Sequence, residues 1–192
     1  MTETGEARLE LYADGGVLAR WWPLRLSVPT PVVVLLGALP PVLALASQAD
    51  VGPAVLAALV WWVVVIETSA PTEGPLAWLF PPLVRAGEYG FAVAVVALGA
   101  PDALPALFLV LCALSYHHYD IVYRVRQIGV RPPGWLELAL LGRSTRLGLI
   151  AGAAAIEIAE PVLWTLGGYL TLVGVGESMT SWRQAFREGE IT

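Results

Sequence analysis

Apolar residues in this chain come in long runs, not in the one-sided patterns of soluble helices. Pro31 to Ala46, Pro53 to Glu67, Gly87 to Leu98, Leu104 to Val125, Arg146 to Ala159 and Val162 to Trp182 each read as a hydrophobic helix. About 20 such residues cross a bilayer. The breaks are polar or proline-rich: Thr68 to Pro75, Pro101-Asp102, Arg131 to Gly134 and Glu160-Pro161. Leu76 to Arg85 is apolar but holds Pro81-Pro82, so it reads as a short re-entrant or interfacial piece, or as the start of the third run. Trp135 to Leu141 reads as a surface-lying piece. At the N-terminus Met1 to Ala13 is polar, and Val17 to Leu26 carries Arg20, Trp21, Trp22 and Arg25, residues that favour the headgroup zone.

The pattern predicts an all-α polytopic membrane protein with about six transmembrane helices behind an N-terminal interfacial segment. A single integral-membrane domain would fill 1–192: interfacial segment 1–26, helix bundle 27–184, tail 185–192. The acidic, polar start is the wrong kind for a cleavable signal peptide.

Composition strengthens this reading. The chain is 57% hydrophobic and 14% charged, against about 25% charged in soluble domains. A net charge of −5 without any basic run argues against nucleic-acid binding. The lone Cys112 excludes an internal disulfide.

All 11 basic residues are arginines, and their placement sets the orientation. With six spans, Arg8, Arg20, Arg25, Arg85, Arg124, Arg126, Arg131, Arg143, Arg146, Arg183 and Arg187 all fall on the side of the termini. The opposite loops carry Asp50, Asp102 and Glu160. Positive charge stays inside, so the expected location is the plasma (inner) membrane, multi-pass, with both termini cytoplasmic.

That topology brings chemistry to one depth. Spans two, four and six travel toward the cytoplasm, which places Glu67, His117, His118, Asp120, Glu177 and Ser178 near their cytoplasmic ends. Glu88 opens span three from the same side. Ionisable groups at membrane depth cost roughly 2.5–3.5 kcal/mol each on insertion scales, so they are kept where they pair, bind or react. On a helix His117, Asp120 and Arg124 share a face, while His118 points elsewhere, nearer Ser115 and Ile121; Glu177 shares a face with Ser181. Glu157 and Glu160 fall near the outer surface, away from this cluster.

Three readings of the cluster compete. In the first, Asp120 and Glu177 serve as helix-to-helix ties through Arg124, Arg183 or a histidine. Alternatively, carboxylates and imidazole line a cytoplasm-facing pocket for a metal or phosphate, with Glu88, His117 and Asp120 as metal ligands suited to a divalent ion such as Mg²⁺ or Mn²⁺. Arginines at its rim suit phosphate. A proton or substrate pathway is the third. Gly167, Gly168, Gly174 and Gly176 on the last span read as close-packing positions.

Two resemblances narrow the choice. Glu73-Gly74-Pro75-Leu76-Ala77-Trp78, with Gly87 eight residues later, is similar to part of the CDP-alcohol phosphotransferase motif D-x2-D-G-x2-A-R-x8-G-x3-D-x3-D. Ser27 to Pro31 is similar to the segment leading into that family's first span. The remaining motif positions depart: Ala70, Phe91 and Val95 stand for aspartates and Trp78 for arginine, so the family's two-metal site cannot be built here. More of the chain resembles an actinobacterial membrane domain of unknown function, often fused to CDP-alcohol phosphotransferases. That likeness rests on His117-His118-Tyr119-Asp120 with Tyr123-Arg124, on Gly87-Glu88-Tyr89, and on Glu177-Ser178 with Ser181-Trp182-Arg183. It implies a role in lipid or polyprenyl-linked metabolism.

The leading expectation is a membrane enzyme acting on a lipid or isoprenoid phosphate, or a nucleotide-activated group, at the cytoplasmic face. Glu67, Glu88, His117, Asp120 and Glu177 would be catalytic; Tyr123, Arg124, Arg183, Glu73 and His118 would hold substrate or phosphate. Expected partners are membrane lipid and a hydrophobic or phosphorylated substrate, with a homodimer or association with another membrane enzyme. One alternative is a membrane terpene cyclase using Glu67 and Glu177 as carboxylic acids. A second is a non-catalytic partner of a membrane phosphotransferase.

Overall fold

The computed structural model describes residues 26–27, 69–70, 80–124 and 133–187. The first two expected spans and most of the interfacial segment lie outside them. The described residues are helical except for a two-residue parallel bridge. There β1 (Leu26–Ser27) meets β2 (Ser69–Ala70), with Leu26 opposite Ser69 and Ser27 opposite Ala70.

Helix α1 (Phe80–Gly99) begins with the Pro81-Pro82 pair in its first turn. Backbone N–H groups there have no intrahelical partner, so the prolines cost little and start the helix instead of breaking it. Of the two readings of Leu76 to Arg85, its latter part takes the start of a helix. A 3₁₀ turn over Pro101–Ala103 reverses the chain into α2 (Leu104–Tyr123). The stretch Pro101–Tyr123 is long and apolar enough to cross a membrane, the one such stretch among the described residues.

The short α3 (Gly134–Ala139) exposes Trp135, and Leu141 and Gly142, both at positive φ, turn the chain into α4 (Gly142–Ala155). The last helix, α5 (Ala159–Arg187), begins earlier than expected. The chain reverses over residues 156–158, with Glu157 at φ 61°, and Glu160-Pro161 already belongs to the first turn of α5. A first-turn proline again loses no bond, and Glu160 there complements the helix dipole.

Helix α2 packs most extensively on α5, and α1 on α4. Leu109 and Val110 lie against Gly167, while Asp120 and Arg124 reach Ser178 and Glu177, so α2 and α5 run parallel. Tyr89 of α1 bonds His118 of α2, and Glu88 bonds Arg146 near the start of α4. The four long helices therefore put their polar portions at one end. Their other portions carry apolar side chains, among them Val96, Leu107, Val110, Ile150, Leu163 and Leu170, all buried.

Among the glycines of α5, only Gly167 is a close-packing position. A Cβ there would meet Leu109 Cγ at 2.9 Å and the Val110 amide nitrogen at 3.2 Å. At Gly168, Gly174 and Gly176 a Cβ would meet nothing within 4 Å among the described residues, so no close approach is seen at those three there.

Candidate functional site

The polar end is buried. Glu88, His117, His118, Asp120, Arg124, Arg143, Ser144, Arg146, Glu177 and Ser178 are all shielded from solvent. Three buried carboxylates and three buried guanidiniums gather there, and all three carboxylates are paired with Arg124 or Arg146, as the cost of an unpaired buried charge demands.

Two arginines organise this end. Arg124, at the end of α2, makes a bidentate pair with Glu177, Nη1 to Oε1 and Nη2 to Oε2 at 2.8 Å each. The same Nη2 reaches Asp120 Oδ2 at 2.7 Å, one helical turn back. Ser181 Oγ donates to Glu177 Oε1 at 2.5 Å, Ser178 Oγ donates to Asp120 Oδ1 at 3.3 Å, and Tyr116 Oη donates to Ser178 Oγ at 3.0 Å. Fork-to-carboxylate geometry of this kind is among the strongest polar contacts available to a protein. It fastens α2 to α5.

Arg146 does the same for α1 and α4. Its Nε and Nη2 donate to Glu88 Oε1 at 3.1 and 2.8 Å, and its Nη1 donates to the Leu140 carbonyl at 3.0 Å, satisfying the end of α3. Tyr169 Oη donates to the neighbouring Ala139 carbonyl at 2.7 Å, tying α5 to the same place.

The histidines lie between these ties. His118 Nδ1 and Tyr89 Oη are 2.8 Å apart with stacked rings, and Ser115 Oγ donates to Tyr89 Oη at 3.4 Å. His117 is buried beside His118, ring centres 5.7 Å apart.

Glu88, His117, His118, Asp120 and Glu177 thus lie at one end of the bundle, the level that span direction assigns them. On α2 Asp120 and Arg124 turn to α5 and His118 turns to α1, while His117, which the helical period groups with Asp120 and Arg124, has its ring beside His118. Glu88 and Asp120 each bind an arginine, and among the described residues no three His, Cys, Asp or Glu side chains are placed to hold a metal ion. Arg124 spends its fork on two carboxylates. Arg183 is exposed, and Tyr123 is half-buried against Trp182, ring centres 5.7 Å apart. Glu67 and Glu73 lie outside the described residues.

Tyr89, Tyr116, Arg143, Ser144 and Arg146 belong to the polar end but were not among the expected site residues. Arg146 stands at the assumed edge of span five, where positive-inside placement accounts for an arginine without any partner. For Tyr89 the sequence signal is its place in Gly87-Glu88-Tyr89.

No curated protein and no solved structure matches the chain. One family profile does, over residues 3–189, nearly its whole length. The chain belongs to that family, DUF5941, a family of unknown function.

Proposed function

We propose that this chain is a polytopic membrane protein of about six spans whose buried polar end serves a lipid or isoprenoid phosphate, or a nucleotide-activated group, at the cytoplasmic face. The observation that carries this reading is the gathering, at one end of four helices, of both histidines with three buried arginines in an otherwise apolar bundle. The β1–β2 bridge agrees with it, since an even number of crossings between Ser27 and Ser69 returns the chain to its starting side.

In this reading the Arg124–Asp120–Glu177 and Arg146–Glu88 ties are the rigid frame, and the imidazoles are the acid–base groups. A divalent ion, Mg²⁺ or Mn²⁺, enters as the companion of a diphosphate substrate. The test is turnover of prenyl diphosphates and CDP-activated alcohols by the purified full chain in lipid nanodiscs, with and without Mn²⁺. Loss of a positioned acid or base costs about 10²–10⁴-fold, so His117→Ala with His118→Ala should abolish measurable turnover. Undiminished turnover in that variant would overturn the assignment.

A specific observation favours a second reading, a non-catalytic partner of a membrane phosphotransferase: Glu88, Asp120 and Glu177 are all engaged by arginine. It predicts copurification of a second membrane enzyme and no turnover of its own. The cyclase alternative draws less support, because both oxygens of Glu177 are engaged by the Arg124 fork.

A further inference from the structure

An aromatic row crosses the α2–α5 seam beside the buried ion pairs. Tyr119, Tyr123, Trp182 and Phe186 follow one another with ring centres 6.2, 5.7 and 6.4 Å apart. The two ends of the row, Tyr119 and Phe186, are 67% and 62% exposed. Arg183 and Arg187 are exposed on α5, each one residue beyond a ring of the row.

Depth and charge together indicate what covers this surface. Pro101–Tyr123, the stretch long and apolar enough to cross a membrane, ends within the row. On the parallel α5, exposed Trp164 stands 18 residues before Trp182. At 1.5 Å per residue that is about 27 Å, close to the roughly 30 Å of a bilayer's hydrocarbon core. Tyr and Trp settle at the edges of that core, ring against hydrocarbon and polar atom toward headgroup. Between the two tryptophans α5 exposes Leu172, Val175 and Met179. Its exposed hydroxyls, Thr165, Tyr169 and Thr180, each donate to a backbone carbonyl, so none depends on water. Among the described side chains the exposed carboxylates, Asp102, Glu157 and Glu160, all lie at the opposite end. Asp120 and Glu177, near the row, are buried and paired with Arg124. The adjoining sequence adds Arg126 and Arg131 against Glu188 and Glu190. With Arg183 and Arg187, positive charge is in excess there.

We propose that the row and its two arginines form a docking surface for anionic phospholipid at the cytoplasmic face of the membrane. The rings seat in the headgroup zone, and Arg183 and Arg187 bind lipid phosphate, whose oxygens match the guanidinium fork. The negative surface potential of anionic lipid favours the same placement. Arg183 and Tyr123 then hold a resident lipid and not a substrate. The proposal rests on the membrane part of the reading above and is independent of any turnover.

The test uses the full chain in neutral detergent, with binding of phosphatidylglycerol and phosphatidylcholine read by native mass spectrometry. An arginine near an anionic surface is worth about fivefold in affinity, so the pair should favour phosphatidylglycerol by roughly 25-fold. Arg183→Gln with Arg187→Gln, which alters only exposed side chains, should bring the two lipids level. Equal binding by the unaltered chain, or a preference that survives the double change, would overturn the proposal. Glycerol phosphate, the free headgroup, should leave the bound lipid in place; displacement at matched concentration would make this a site for a soluble phosphate and overturn it too.

Depth is read separately. A fluorophore on Phe186→Cys in a Cys112→Ala background should be quenched more by a nitroxide at the lipid headgroup than by one at the chain end. On the native Cys112, the single cysteine and exposed, about 10 Å along α2 from Tyr119, the order should reverse. Stronger chain-end quenching at Phe186, or headgroup quenching at both positions, would overturn the proposal. Release of the unaltered chain from membranes by alkaline carbonate would overturn the membrane reading along with it. A chain that is retained but binds lipid without regard to charge overturns the docking surface alone.

Discussion

The two ends of the α2–α5 seam are held by opposite means. At the apolar end Gly167 brings the α5 backbone against Leu109 and Val110, and contact is van der Waals. At the polar end Arg124 clamps Glu177 and Asp120 across a buried interface. Dispersion between helices is available anywhere along a seam, but only in the exact shape present, so one added methyl is felt. An ion-pair network tolerates small shifts but not a missing member, because desolvated charge left behind has nothing to replace its partner. The apolar end thus sets how close the helices come, and the polar end sets their register.

The largest expected break of this contrast is Arg124→Gln. It strands two buried carboxylates and should destabilise the fold by about 3–5 kcal/mol, read as a lower midpoint in denaturation from detergent micelles. Converting the three partners together, Asp120→Asn, Arg124→Met and Glu177→Gln, should recover most of that loss. If the triple change is as costly as the single one, the network does more than balance charge.

At the apolar end the next effect is smaller and changes sign between adjacent residues. Gly167→Ala should cost about 1–3 kcal/mol through overpacking against Leu109. Gly168→Ala, with open space at its Cβ, should gain about 0.5–1 kcal/mol of helix stability. Equal responses would show that Gly167 does not set the spacing. The smallest expected change is Tyr116→Phe, which removes one hydroxyl at the edge of the polar network. Ser178 keeps Asp120 as its acceptor, so the cost should sit near the low end of about 0.5–1.5 kcal/mol. A larger loss would make Tyr116 a full member of the clamp.

Much of this arrangement was readable along the chain. The apolar runs locate α1, α2, α4 and α5 because a helix of that composition has few other ways to satisfy its backbone. The alternating direction of the runs, with arginines at one set of ends, puts Glu88, His117, Asp120 and Glu177 at one level. The 3.6-residue period alone separates Asp120 and Arg124 from His118. Glu160-Pro161 looks like a break along the chain but sits in the first turn of α5, where a proline gives up no hydrogen bond. Composition does not tell which glycine of α5 faces a neighbour, and Gly167 is the one against Leu109 and Val110 among the described residues.

For the described residues the sequence by itself determined where the helices lie, the end of the bundle that Glu88, His117, Asp120 and Glu177 share, and that Asp120 and Arg124 share a face, since these follow from composition, chain direction and local period. Only the tertiary structure decided partnership: Arg124 with Glu177 and Asp120, Arg146 with Glu88 and the end of α3, Tyr89 with His118. Partnership depends on the rotation and axial offset of one helix against the next. Those are set by side-chain packing summed over whole interfaces, and no single stretch of chain encodes them.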